Sequence, residues 1–504
     1  MTKRFLPFLV LTVLTCLSIS GFAQIRYFDD VFPAVTRVNS IMYDSNRTIN
    51  LIPPNNPPIV TAPLMCDMYE PTGDTATKRP VIILLHTGSY LPAIANKQTT
   101  GNNKDSNVVE TAMRFAKKGY LVFAMNYRLG WNPTTTNQAE ATEQLLKATY
   151  RGIQDARNCV RFVRSNASVY KADTSKIILG GFGTGSYIAY GVATVDKRSE
   201  IESNLKFQRG DFTPMVSVDT LGDWLGRGGI PFFNYSGDSN VSSNIHMIFS
   251  CGGAMGDLNW LEAGGVPIVG LHSVNDPFAP YTTGNVIVPT TGITVVPSAS
   301  GARDVVVKAN TVGVNNKINS RAYHDPFSVK AATLSSNNNL YPFYTATPES
   351  APWEWWNRTI MQNINFPSAG AGRIADSLSM LTNPSMSDTK AKAYIDTIVG
   401  FVTPRIVVQF DLAQLYSSVE EVDMNKYLSV FPNPASSVVN IQFTGAGNIT
   451  SVRVIDIAGR TLVNAQSVNN NKYAVDATQL AKGVYFIDAS LSNGSTARQR
   501  FVVQ

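Results

Sequence analysis

Cysteine is scarce, at four in 504 residues. Cys16 lies in an apolar stretch near the start. Cys66, Cys159 and Cys251 are far apart, which excludes a paired-cysteine zinc site and a disulfide-stapled small domain. Two readings of these three stay open: three buried thiols, or one bonded pair and one free thiol. Histidine is equally rare: only His86, His246, His272 and His324 are available for imidazole chemistry. Charged residues make up 15% of the chain, and its basic residues never cluster. The net charge of +6 therefore marks no nucleic-acid-binding surface, and no such partner is expected. Beyond the first two dozen residues no apolar run is long enough to span a membrane. No metal-ligand spacing or phosphate loop occurs, and Gly180–Gly185 lacks the spacing of a dinucleotide site. Neither metal nor cofactor is expected.

Against these gaps stands a hydrophobic content of 44%, enough for a large core and a second, smaller domain. Residues 1–23 have the layout of an export signal. Lys3 and Arg4 open it, Phe8 to Ile19 form the apolar stretch, and Gly21-Phe22-Ala23 is a small-x-small cleavage site. A lipid anchor on Cys16 fits poorly, because apolar residues continue past it. Residues 24–62 read as loop-rich, punctuated by Pro53-Pro54-Asn55-Asn56-Pro57-Pro58.

Strand and helix patterns then alternate. Val81–Leu85, Tyr120–Met125, Lys176–Leu179, His246–Phe249 and Val266–Leu271 are short continuous apolar runs, as expected for strands buried on both faces. Val108–Lys118 and Ala139–Asn166 read as helices between them. This order predicts an α/β fold with a mostly parallel sheet flanked by helices. Residues 283–340 read as an insertion, part β-like and part loop. Ala391–Phe401 reads as a last helix, ended by Pro404. The expected large domain is 24–413, followed by an acidic linker, 414–427. Residues 428–504 alternate in short strands, predicting a small all-β sandwich.

The segment Lys176–Ser186 carries the sharpest signal. An apolar strand enters Gly181-Phe182-Gly183-Thr184-Gly185 and then a helix, the setting of a Gly-x-Ser-x-Gly nucleophile elbow. The serine position holds Gly183, which has no side-chain oxygen.

Two resemblances follow. Val430-Phe431-Pro432-Asn433-Pro434-Ala435, Val454–Arg460, Leu480–Phe486 and the ending Phe501-Val502-Val503 resemble the type A C-terminal sorting domain of the type IX (Por) secretion system. That implies a Bacteroidetes-type bacterium, passage through the periplasm, the secretion machinery as partner, and a secreted or outer-surface location. Residues 63–405 resemble α/β-hydrolases of the carboxylesterase and feruloyl-esterase type. The resemblance rests on Pro80–Gly88, Gly119–Gly130, Asp155-Ala156-Arg157, the elbow and His272–Pro280.

Esterases of this kind need a nucleophile, a histidine oriented by an acid, and backbone N–H groups facing the oxyanion. The resemblance places the acid at Asp276, in a segment that also reads as turn chemistry. It places the oxyanion donors at Thr87, Gly88 and Thr184, and the histidine near Thr347–Ala351, where none exists. His86 reads as structural, and His324 reaches the site only if the insertion folds back over it. Thr184 and Ser186 read as caps of the following helix. Trp353, Trp355 and Trp356 read either as a stacking surface for a sugar or aromatic ligand or as packing. The expectation is a degenerate hydrolase that binds a small acyl, sugar or aromatic ligand or serves surface assembly. The alternatives are an atypical carboxylic ester hydrolase acting on acyl-sugar or plant-polymer esters, and a structural surface protein.

Overall fold

The computed structural model describes residues 24–49, 59–132, 135–228, 234, 240–288, 292–364, 371–413, 424–445, 447–492 and 496–504. The expected export signal, residues 1–23, and most of the expected linker fall outside them. The chain divides into two compact units, Met1–Leu415 and Tyr416–Gln504.

The first unit is built on an eight-stranded sheet of order β1-β2-β4-β3-β5-β6-β8-β11. The strands of the whole unit, those outside this sheet included, are β1 (Val35–Ile49), β2 (Ile59–Pro71), β3 (Arg79–Leu85), β4 (Leu121–Met125), β5 (Ala172–Phe182), β6 (Met247–Cys251), β7 (Ala254–Met255), β8 (Ile268–Ser273), β9 (Thr283–Ile287), β10 (Thr294–Gly301) and β11 (Leu340–Phe343). From β4 to β11 every pairing is parallel, with Ile83 opposite Phe123 and Leu84 opposite Gly180. All residues of β3, β4, β6, β8 and β11 are buried. That is why they read as continuous apolar runs rather than alternating ones. One face carries the helix Gln138–Ser165, whose N-terminus is capped by the Asn137 side chain. The other carries Ser106–Lys117 and Asp388–Phe410, whose Phe115, Ile398 and Val402 are sealed against Val122 and Phe249.

Three expectations are corrected. Residues 35–49 and 59–62 belong to the antiparallel pair β1–β2, whose register breaks at Val38/Ile41 and Met42/Asp44. These bulges scramble the two-residue alternation that would have announced it. Residues 283–340 are not β and loop throughout. β9 and β10 form a three-stranded sheet with β7. Ala302–Thr311 and Pro326–Leu334 are helices, and the stretch returns the chain to β11 beside β8. The Val305-Val306-Val307 run suits a strand by propensity, but Val305 and Val306 are fully buried, and packing overrides propensity. Finally, the last helix does not stop before Pro404 but continues to Phe410. An internal proline costs about 3 kcal/mol. Burial of Val399, Phe401, Val402, Ile406 and Val407 on both sides of it is worth more.

The second unit has two antiparallel sheets. One contains β12 (Leu428–Phe431), β13 (Val438–Phe443) and β16 (Lys472–Asp476). The other runs β15 (Thr461–Asn470), β14 (Ile449–Asp456), β17 (Gly483–Leu491) and β18 (Thr496–Val503). Val439, Ile441, Val452, Val454, Ile487 and Phe501 form its own core.

Candidate active site

The site lies at the C-terminal edge of the parallel strands, where α/β folds place their ligands. β5 ends at Phe182, Gly183 turns the chain, and the helix Thr184–Thr194 begins. Gly183 has φ 49° and ψ −116°, a positive φ that costs a non-glycine residue roughly 1–3 kcal/mol. Its N–H donates to the Cys251 carbonyl at 2.9 Å, tying the turn to β6. Gly185 is required by close approach, since a Cβ there would lie 2.4 Å from the Leu85 carbonyl oxygen. The backbone is thus that of an elbow, with no side chain at its apex.

The empty apex is filled from the neighbouring strand. A Cβ on Gly183 would fall 2.2 Å from Thr87 Oγ1 and 2.9 Å from Thr87 Cβ. A hydroxyl therefore stands over the elbow, supplied by the loop after β3. Ser186 offers no alternative. Its Oγ donates to the Gly181 carbonyl at 2.8 Å and accepts from Cys251 N at 3.2 Å. Neither Ser186 nor Thr184 caps the helix, which lacks a side-chain cap. The Thr184 hydroxyl instead lies 3.4 Å from Tyr127 Oη. Among the described residues no acceptor takes the N–H groups of Gly88 or Thr184.

The loop carrying Thr87 and Gly88 is tightly fixed. Asn96 Nδ2 donates to the carbonyls of Gly88, Leu91 and Thr100 at 3.0, 3.2 and 2.8 Å. His86 Nδ1 donates to the Thr87 carbonyl at 2.5 Å, and its ring stacks on Tyr127 at 4.3 Å. Tyr127 Oη donates to the His86 carbonyl at 2.9 Å. Burial pushes the His86 imidazole down to about 4, so it is neutral and structural at pH 7.

Asp276 follows β8 and lines the cavity in front of the elbow. Its Oδ1 accepts from Phe278 N and Ala279 N at 2.8 and 3.0 Å, and its Oδ2 faces His272 Nε2 at 3.2 Å. That turn bonding and the carboxylate's place in the cavity wall coexist. His272 is fully buried and is not part of the cavity wall. His246 Nδ1 accepts from Ile177 N. His324 is exposed and precedes the helix Pro326–Leu334. That helix leads into the N-terminal end of β11, away from the elbow. No histidine lines the cavity among the described residues.

The tryptophans separate. Trp353 is 1% exposed and packs on Phe182 and Phe343 with ring centroids 6.3 and 6.0 Å away. Its indole also borders the cavity. Trp355 and Trp356 do not. Trp356 Nε1 donates to Asp376, and the Trp355 carbonyl accepts from Ser106 Oγ.

The cavity measures about 190 Å3. Its wall is mainly apolar, with Leu145, Ile153, Phe207, Phe278, Val288 and Val296 prominent. It also contains a residue the sequence reading missed, Glu354, which is 5% exposed. Burial, reinforced by Asp105, pushes the Glu354 carboxyl up to about 8. Asp105, in turn, is pushed up to about 8 by burial, against hydrogen bonds from Gly101 N and Asn102 N. The available signal was a lone carboxylate inside Trp353-Glu354-Trp355-Trp356. Cys66, Cys159 and Cys251 are all buried free thiols.

Comparison with known proteins finds two family matches and a set of distant structural neighbours. Residues 66–255 match the family described as BD-FAE, and residues 429–504 match the secretion system C-terminal sorting domain. Among solved structures, esterase 2 of Thermogutta terrifontis phosphorylated by paraoxon is 14% identical. The match covers 62% of this chain and 84% of that one, with a TM-score of 0.33. The native thermophilic esterase of the same Planctomycetes species is 13% identical over 72% of this chain and 99% of its own, also at 0.33. No helix among the described residues is long and apolar enough to cross a membrane. The chain carries a BD-FAE domain, esterase-like and of α/β-hydrolase fold, and a type IX sorting domain that directs it to the cell surface or beyond.

Proposed function

We propose that this exported protein is a catalytically degenerate α/β-hydrolase that binds a small acyl, sugar or aromatic ligand in its former ester pocket. The observation that carries this reading is the Thr87 hydroxyl occupying the space a nucleophile side chain on Gly183 would need. The two positions are complementary: a serine at 183 and the present Thr87 side chain compete for the same volume. A glycine there also relieves the strain of the elbow. With no imidazole in its wall among the described residues, the site lacks the histidine base that activates a hydroxyl. Loss of the nucleophile alone typically costs roughly a millionfold in turnover. An open cavity, rather than a packed one, favours ligand binding over a purely structural role.

One observation favours an atypical hydrolase instead. Thr87 Oγ1 is itself a hydroxyl above the elbow, beside the free N–H groups of Gly88 and Thr184. The test exposes the signal-free chain to p-nitrophenyl acetate and butyrate and to a fluorophosphonate probe, beside Thr87→Val. The expected outcome is no turnover above a heat-denatured control and no labelling. Turnover that disappears in Thr87→Val would overturn the degenerate reading and assign the reaction to Thr87.

A further inference from the structure

The cavity is mainly apolar, with a minority of polar groups in its wall. Thr87, Gly183, Thr184, Asp276, Ser350 and Glu354 are among its lining, and no Lys, Arg or His lines any part of it among the described residues. Two independent features there await a partner. The first is the N-terminus of the eleven-residue helix Thr184–Thr194, whose leading N–H groups and dipole favour a negative group. The second is Glu354. Its carboxyl makes no hydrogen bond among the described residues, yet its oxygens are not sealed from the cavity. A residue only 5% exposed that turns an unpartnered carboxyl toward a cavity leaves that group available to a ligand.

The surroundings of Glu354 say which form it takes. Asp105, at the head of Ser106–Lys117, is its acidic neighbour. Asp276 shares the cavity wall but is held by two backbone N–H groups and His272. On Asp388–Phe410 the Lys390 ammonium is spent on Glu349 and Asn383. On Ala371–Thr382 the Asp376 carboxylate is spent on Arg358, Trp356 and Gln362. Among the described residues no cation is left to hold Glu354 ionised, so the empty site keeps it as a neutral acid, a hydrogen-bond donor facing a mainly apolar space. Glu354 and the helix N-terminus then line one cavity as donors, a combination that selects an acceptor and, best, an anion.

We propose that the cavity is a receptor site for a small free carboxylic acid with an apolar body. Its carboxylate is received by the N-terminus of the helix Thr184–Thr194 and by the carboxyl of Glu354. This deepens the degenerate-hydrolase reading and rests on it. Size points to a single ring or a chain of similar bulk, because ~150 Å3 already holds benzene and this cavity offers about 190 Å3.

The experiment is calorimetric titration of the signal-free chain with 3-phenylpropionate and octanoate between pH 6 and pH 9.5. 3-Phenylpropylamine and methyl 3-phenylpropionate serve as comparisons. The acids stay ionised throughout, so any pH dependence belongs to the protein. Binding is expected at pH 6, with proton uptake near pH 8, weakening at least tenfold by pH 9.5. Glu354→Gln, which keeps a donor but cannot titrate, should bind with a flattened pH profile. Glu354→Leu, checked for native folding, should lose at least tenfold at pH 6. No binding of either acid at millimolar concentration, a profile unchanged in Glu354→Gln, or preference for the amine with affinity rising with pH would each overturn the proposal. Ester turnover by the unmodified chain, with this carboxylate binding intact, would sink the degenerate reading alone. Silence toward esters without carboxylate binding would sink only this inference.

Discussion

Thr87 and Gly183 share one space: the threonine hydroxyl lies 2.2 Å from where a Cβ on the glycine would sit. Their strands are neighbours, β3 beside β5 with Leu85 opposite Gly181, so the loop after one strand overhangs the turn after the other. The consequence is energetic coupling. Gly183→Ser alone should be destabilising by ~2–4 kcal/mol, combining an overpacked contact with a strained positive φ. Thr87→Gly/Gly183→Ser should recover at least 1 kcal/mol of that loss, as contacting residues do. A denaturant double-mutant cycle reads the coupling, and strictly additive values would refute the shared space.

Glu354 and Asp105 make stability depend on pH with a definite sign. Both are raised to about 8 in the folded chain, against roughly 4 when unfolded. Between those limits the folded state binds more protons than the unfolded state, so stability falls as pH rises from about 4 to about 8. The ceiling is ~1.4 kcal/mol per pH unit for each group. Glu354→Gln should therefore be nearly neutral at pH 5 and stabilising by ~1–3 kcal/mol at pH 8. Thermal melts of both proteins at the two pH values decide it, and an equal shift in Tm at each pH would contradict the raised carboxyl.

How much of this was legible beforehand varies with the range of the interaction. The parallel strands were readable because Val81–Leu85 and Tyr120–Met125 are apolar at every position, a local property. The elbow was readable because Gly181, Gly183 and Gly185 answer to backbone geometry within five residues. The overhang of Thr87 was not, since it needs the rotamer of a side chain 96 residues away in sequence. Glu354 was hidden for another reason. Nothing local marks this carboxylate as buried; its low exposure and its neighbour Asp105, far away in sequence, do. Pro404 and the helices within residues 283–340 were misread because local preference is outweighed there by core burial.

Asn96 holds the loop that positions Thr87. It is 3% exposed, its amide nitrogen serves three carbonyls, and its Oδ1 accepts from Gln98 N at 2.6 Å. Asn96→Ala removes four bonds and strands buried partners, at ~2–4 kcal/mol. The loss should be local as well as global. Amide exchange over residues 86–101 should accelerate more than exchange in β3 or β4. Uniform acceleration across the domain would mean that Asn96 stabilises the fold without specifically fixing the loop.

The other support of the site is the buried pair Arg128 and Asp155, 1% and 0% exposed in their side chains. Asp155 accepts from Arg128 N at 2.7 Å and from its guanidinium at 2.8 and 2.9 Å. The residue before Arg128 is Tyr127, which stacks on His86 and bonds the His86 carbonyl. The pair therefore anchors the chain behind Thr87 from the helix Gln138–Ser165. Removing one partner strands the other charge in the interior, so Asp155→Ala should cost ~3–5 kcal/mol. Replacing both by apolar residues of similar volume, Arg128→Met with Asp155→Leu, leaves no uncompensated charge and should cost less than either single change. It should still lose the bond to the Arg128 N–H, however, and with it the fixed position of Tyr127. Near-ultraviolet circular dichroism of the tyrosines should therefore change in the double variant even where its Tm approaches that of the unmodified protein. A double variant that keeps the unmodified spectrum would show that the pair serves charge balance alone, and that Tyr127 is held by His86 without it.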